Sequence, residues 1–75
     1  MQELREIKGV GYKNEYYLNG VGITHIDGLT AFIGREISLR SMIISMFPAR
    51  VAPSLESLQN WVQQALCLVN TKKRI

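Results

Sequence analysis

Four of the six glycines in this chain fall in two close pairs, Gly9/Gly11 and Gly20/Gly22, inside the stretch IKGVGYKNEYYLNGVGI at residues 7–23. No other feature limits the fold as tightly. Glycine loses more backbone freedom than any other residue on entering a helix or strand, and it reaches positive φ without a Cβ clash. Two glycines one residue apart therefore end a regular element and mark a turn. Residues 12–19 (YKNEYYLN) lie between the pairs and read as one short helix, with Tyr17, Leu18 and either Tyr12 or Tyr16 facing inward. The first pair follows Lys8 and precedes a helix start, which suits a turn that grips a phosphate. It suits a tight connection between two packed helices equally well, and the residues alone leave both open.

Apolar positions elsewhere recur at helical spacing. Residues 2–7 (QELREI) predict a first helix with Leu4 and Ile7 on one face, ended by the first glycine pair. The second pair closes the second helix, and Ile23 then anchors the chain in the core. Thr24 is the expected N-cap of a third helix over 25–33, with Asp27 three residues on in the manner of a capping box. Gly34 ends it. Ser38 is the expected cap of a fourth helix through ISLRSMIISMF (37–47), which Pro48 stops. Pro53-Ser54 opens the last helix, 54–70, with an apolar stripe of Leu55, Leu58, Trp61 or Val62, Ala65, Leu66 and Val69. Gln59, Asn60, Gln63 and Gln64 lie off that stripe, and Trp61 is the expected core anchor, its ring N–H near the surface. The expected fold is all-α, a compact bundle of about five short helices with no strand.

Seventy-five residues make one small domain, taken as 1–71, followed by a basic tail at 72–75. The net charge of +3 resides in that tail: without Lys72, Lys73 and Arg74 the body carries six basic and six acidic residues. A dedicated nucleic-acid binder usually shows a basic face on the folded domain itself. No apolar run approaches the roughly 18–20 residues that span a bilayer, and MQELREIK lacks the apolar core of a signal peptide. A cytoplasmic location and a chain beginning at Met1 are the expectations. Cys67 is the only cysteine, which excludes an internal disulfide and a thiol-rich metal site; within ALCLV it reads as a core thiol. His25 is the only histidine, expected exposed in a helix's first turn, and no Ser or Cys has a base and an orienting acid evident beside it. No catalytic, metal-binding or cofactor-binding residue is assigned, and neither a cofactor nor a small-molecule substrate is expected.

The spacing Leu4-x-x-Ile7-x-Gly9-Val10-Gly11, then Leu18, Gly22-Ile23-Thr24 and Leu29, resembles the helix-hairpin-helix motif. In that family a hydrophobic-x-Gly-hydrophobic-Gly turn joins two helices. The resemblance implies that Ile7 and Val10 plug into the core while free amides at the second helix's N-terminus point outward. Lys13 matches a lysine that DNA-binding members often place two residues after the second glycine. Tyr12 stands where many members have Pro, and Glu15 where the DNA-binding form usually has a small residue.

A longer stretch, roughly residues 4–69, is similar to a stand-alone form of this domain. That form occurs as a C-terminal extension of some bacterial respiratory NADH dehydrogenase subunits and in small uncharacterised proteins. Gly9-Val10-Gly11, Glu15, Leu18-Asn19, Gly22-Ile23-x-His25-x-Asp27, Arg50-Val51 and Trp61-Val62-x-Gln64-Ala65 carry this similarity. Ala49 replaces a glycine, and the connection before Trp61 is longer here. The extension has no assigned chemistry, and with one cysteine and no dinucleotide fingerprint this chain does not take up the enzymes' iron–sulfur or flavin chemistry.

Two binding functions follow. The leading one is docking on a protein partner, or pairing in a homodimer, by a non-enzymatic adaptor. ISLRSMIISMF is apolar nearly all round, so it is either a central core helix or a surface on which Met42, Met46 and Phe47 form an adaptable contact. The alternative is sequence-independent binding to the DNA backbone through Lys8, Gly9, Val10, Gly11, Tyr12 and Lys13. There the amides of Val10, Gly11 and Tyr12 would join the two lysines on one edge, beside Arg5 and Tyr16. Glu15 and the neutral body weigh against it.

Overall fold

Every helix of the chain contributes to a core of Leu4, Ile7, Val10, Leu18, Ile23, Ile26, Leu29, Leu39, Ile43, Leu58, Trp61, Val62 and Ala65, with no polar side chain among them. The computed structural model describes residues 3–73, the side chains of 71–73 excepted. Gln2 of the expected first helix, and Arg74 and Ile75 of the expected tail, lie outside the described residues, as do the Lys72 and Lys73 side chains. A 3-10 turn at Leu4–Glu6 is followed by α1 (Tyr12–Gly20), α2 (Ile26–Thr30), α3 (Glu36–Met46) and α4 (Leu55–Lys73). Helix α4 packs across α2 and α3, while α1 packs on α3 and on the 3-10 turn. Among the described residues the only β pairing is an isolated antiparallel bridge between Glu3 and His25. The all-α expectation holds, with four α-helices and one 3-10 turn in place of five helices.

Most differences from the expected elements lie at helix ends, where local hydrogen bonds decide. The first element is a single turn because Glu3 and Glu6 close it reciprocally, the Glu3 amide donating to the Glu6 carboxylate at 3.0 Å. Ile7 then leaves in extended backbone to reach the core. So short a piece gains too few bonds to propagate as an α-helix. Helix α2 starts one residue later than expected, with His25 at the N-cap; the Thr24 hydroxyl lies 3.0 Å from His25 Nδ1 and leaves the helix amides uncapped. It also ends early, because Phe32, Ile33 and Arg35 each donate to the carbonyl three residues back, the tighter pattern of a closing turn. Helix α3 begins at Glu36, not Ser38: the Glu36 carboxylate accepts from the Gly34 amide, and Ser38 sits exposed inside the helix. Ser54 opens α4 as expected, its hydroxyl accepting from the Ser57 amide at 3.2 Å. Helix α4 continues three residues beyond the expected end, to Lys73. Cys67 is exposed on it, not buried.

The second glycine pair divides its labour. Helix α1 ends in a Schellman closure: Ile23 donates to the Leu18 carbonyl at 2.9 Å and Gly22 to Asn19 at 3.0 Å. Gly22 occupies the left-handed position at φ 91°, and Ile23 and Leu18 are both buried. Gly20 instead makes room, since a Cβ there would stand 2.6 Å from the Phe47 ring.

Candidate functional site

The first glycine pair forms a hairpin that is braced from behind by α4. Gly9 takes φ 100°, and the Val10 amide donates to the Ile7 carbonyl at 3.1 Å to close the turn. Gly11 is the N-cap of α1, whose first intrahelical bond runs from the Glu15 amide to the Gly11 carbonyl at 2.9 Å. The amides of Tyr12, Lys13 and Asn14 precede that bond and so have no partner within the helix. The Asn14 side chain reaches back to the Gly9 carbonyl at 3.0 Å. Behind the turn, Gln64 grips the Lys8 backbone with both ends of its amide, accepting from Lys8 N at 2.9 Å and donating to Lys8 O at 3.0 Å. A further bond from Gln64 Nε2 to Asn60 Oδ1 at 2.6 Å fixes the amide's orientation. Trp61, one helical turn earlier, lays its indole against Gly9, where a Cβ would stand 3.0 Å from Nε1.

The phosphate-facing candidates thus separate. Lys8, Gly9, Gly11, Tyr12 and Lys13 are all exposed on the hairpin edge, whereas Val10 is buried and its amide is committed to Ile7. Val10 builds the turn and offers no contact. Neither Lys8 nor Lys13 makes an ion pair among the described residues. Arg5 sits beside the edge, with its guanidinium 4.8 Å from the Tyr12 ring centroid and its Nε 3.6 Å from the Glu15 carboxylate. Glu15, the acid that weighed against anion binding, therefore has a cation next to it.

The other candidate surface is the outside of α3, which fully buries only Leu39 and Ile43. Met42 and Met46 are exposed on one flank of that buried ridge, Met46 at 59 %. Phe47 is drawn inward: its ring packs on Tyr17 at 5.0 Å and edge-on to Tyr16 at 5.5 Å, over the space left by Gly20. Ile37, at 69 % exposure, and Ile44 stand on the opposite flank and escaped the sequence reading. Gln64 and Trp61 escaped it as organisers of the hairpin. Their signal was the Trp-Val-x-Gln spacing, which places both on one face of α4.

No group of His, Cys, Asp and Glu among the described residues is placed to hold a metal ion. No helix among them is long and apolar enough to cross a membrane. In comparison with protein families, the family described as the RS2/RL21/YNQ2 HHH domain matches residues 4–69. That description names no respiratory dehydrogenase, so it lends the expected link to those subunits no support. Neither a curated protein nor a solved structure matches the chain significantly.

Proposed function

The chain belongs to the RS2/RL21/YNQ2 family of helix-hairpin-helix domains, and from that premise we propose that it is a non-catalytic module that docks on another protein through the outer surface of α3. One observation carries this reading. Helix α3 spends two side chains on the core and leaves Ile37, Met42, Ile44 and Met46 exposed. Exposed apolar side chains concentrated on one helix of a small domain support an interaction site, and methionine adapts its shape to a partner. A photo-crosslinking residue at position 42, used in cells that make the protein, tests it. A discrete adduct that Met46→Lys abolishes is expected, with no adduct from exposed Gln59 on α4. An adduct of twice the chain's mass identifies a second copy as the partner; the absence of any α3-dependent adduct overturns the reading.

Sequence-independent binding of a nucleic-acid backbone at the hairpin is the second reading. The pairing of Glu15 with Arg5 favours it, because the edge then offers Lys8, Lys13 and three helix-start amides beside an offset acid. Titration of fluorescent duplex DNA at low salt should show binding that weakens steeply as salt is added. Lys8→Glu/Lys13→Glu should remove most of that affinity, and no binding at tens of micromolar would sink the idea.

A further inference from the structure

The flank of α3 opposite Met42 and Met46 faces an open groove of about 370 Å³ between α3 and the first turn of α4, lined by Ile37, Arg40, Ser41, Ser54 and Leu55. On α3 the series Ile37, Arg40, Ser41, Ile44 follows i, i+3, i+4, i+7, so these four residues form one continuous stripe. Two exposed isoleucines bracket a half-buried arginine in that stripe. The Arg40 side chain is held in place, its Nε donating to the Pro53 carbonyl at 3.2 Å, with Pro53 itself buried. No carboxylate among the described residues pairs with it. A fixed, half-desolvated guanidinium between apolar side chains is complementary to a carboxylate flanked by apolar groups, and arginine is enriched at such contacts.

We propose that this groove receives a short segment of a different protein, carrying an Asp or Glu between apolar side chains, with the carboxylate on Arg40 and the apolar groups on Ile37, Ile44 and Leu55. A second copy is the poorer occupant. A two-fold pairing centred on this stripe sets Arg40 against Arg40, and like charges brought together at an interface cost affinity. The inference rests on the docking reading and adds to the Met42 and Met46 contact a second one, on the opposite flank of α3, with a stated partner chemistry.

Selection from a random twelve-residue peptide display library on the immobilised protein tests it and requires no identified partner. Enriched peptides should combine two or more apolar residues with an Asp or Glu. Their affinity should fall about tenfold or more with Arg40→Gln, which removes the charge but keeps a donor for Pro53. Ile37→Lys should abolish binding, and circular dichroism should show both variants folded. Enrichment of neutral or basic peptides overturns the proposal, as does enrichment indifferent to Arg40→Gln. Peptides lost with Met46→Lys but kept with Ile37→Lys overturn the groove while leaving docking on α3 intact. Failure to enrich any peptide, with the photo-crosslinked adduct still formed, likewise defeats the groove alone.

Discussion

The side-chain amide of Gln64 and the backbone of Lys8 share a pair of hydrogen bonds, 2.9 Å and 3.0 Å long, that fasten the last helix to the hairpin turn. Replacing Gln64 with Leu removes both bonds and leaves the exposed Lys8 groups to water. The expected loss is about 1–2 kcal/mol, below the cost of orphaning buried groups. Urea unfolding followed by Trp61 fluorescence measures it. Faster exchange of the Val10 amide, the hydrogen bond that closes the turn, should accompany it.

The two glycines of the first pair should respond in opposite ways. Gly9→Ala forces a side chain into φ 100° and towards the Trp61 indole, so a loss of about 1–3 kcal/mol is expected. Gly11 has extended backbone, open space around it and the N-cap position of α1. Gly11→Ser should therefore raise stability by a few tenths of a kcal/mol through a hydroxyl cap, roughly the measured gap between Ser and Gly at such positions. Thermal unfolding of the two variants side by side checks the contrast.

Gly20→Ala should destabilise by about 1–3 kcal/mol, because its Cβ would stand 2.6 Å from the Phe47 ring. The cause is contact, so it should couple to the residue contacted. In a double-mutant cycle, Gly20→Ala should cost markedly less in a Phe47→Leu background than alone. Additive losses would place the strain in the backbone.

Glu15→Gln should leave stability within about 1 kcal/mol, since its pair with Arg5 is partly exposed, with side-chain accessibilities of 44 % for Arg5 and 23 % for Glu15. Should the hairpin bind a nucleic-acid backbone, the same substitution frees Arg5 and removes a negative charge. Duplex affinity at low salt should then rise roughly two- to fivefold, and the gain should fade as salt is added. Fluorescence anisotropy at two salt concentrations reads both effects.

The helices were legible because the apolar spacing that predicts them also builds the core: Leu18, Leu29, Leu39 and Leu58 are fully buried. Helix ends were less legible, because they depend on which of several neighbouring polar groups takes the cap. Thr24 and Ser38 looked suitable, yet His25 occupies the first N-cap and Glu36 binds Gly34 ahead of Ser38. Cys67 lay in an apolar run, but a helix as long as α4 turns part of any such run to solvent. At the hairpin, the glycine spacing showed that a turn exists and where its lysines fall. It gave no account of Val10's committed amide or of Arg5 meeting Glu15, since both depend on the angle at which chain segments meet. The exposed flank of Ile37 and Ile44 was hidden for a related reason. An all-round apolar helix shows how much surface it could bury but not which face its neighbours leave bare.

The hairpin's brace comes from the opposite end of the chain, 56 residues away. The two Gln64 bonds exist only where α4 is docked, so the finished geometry of the turn depends on the last helix. A fragment carrying residues 4–23 alone, grafted into another protein, would bring the glycines and lysines without the grip that holds them in register.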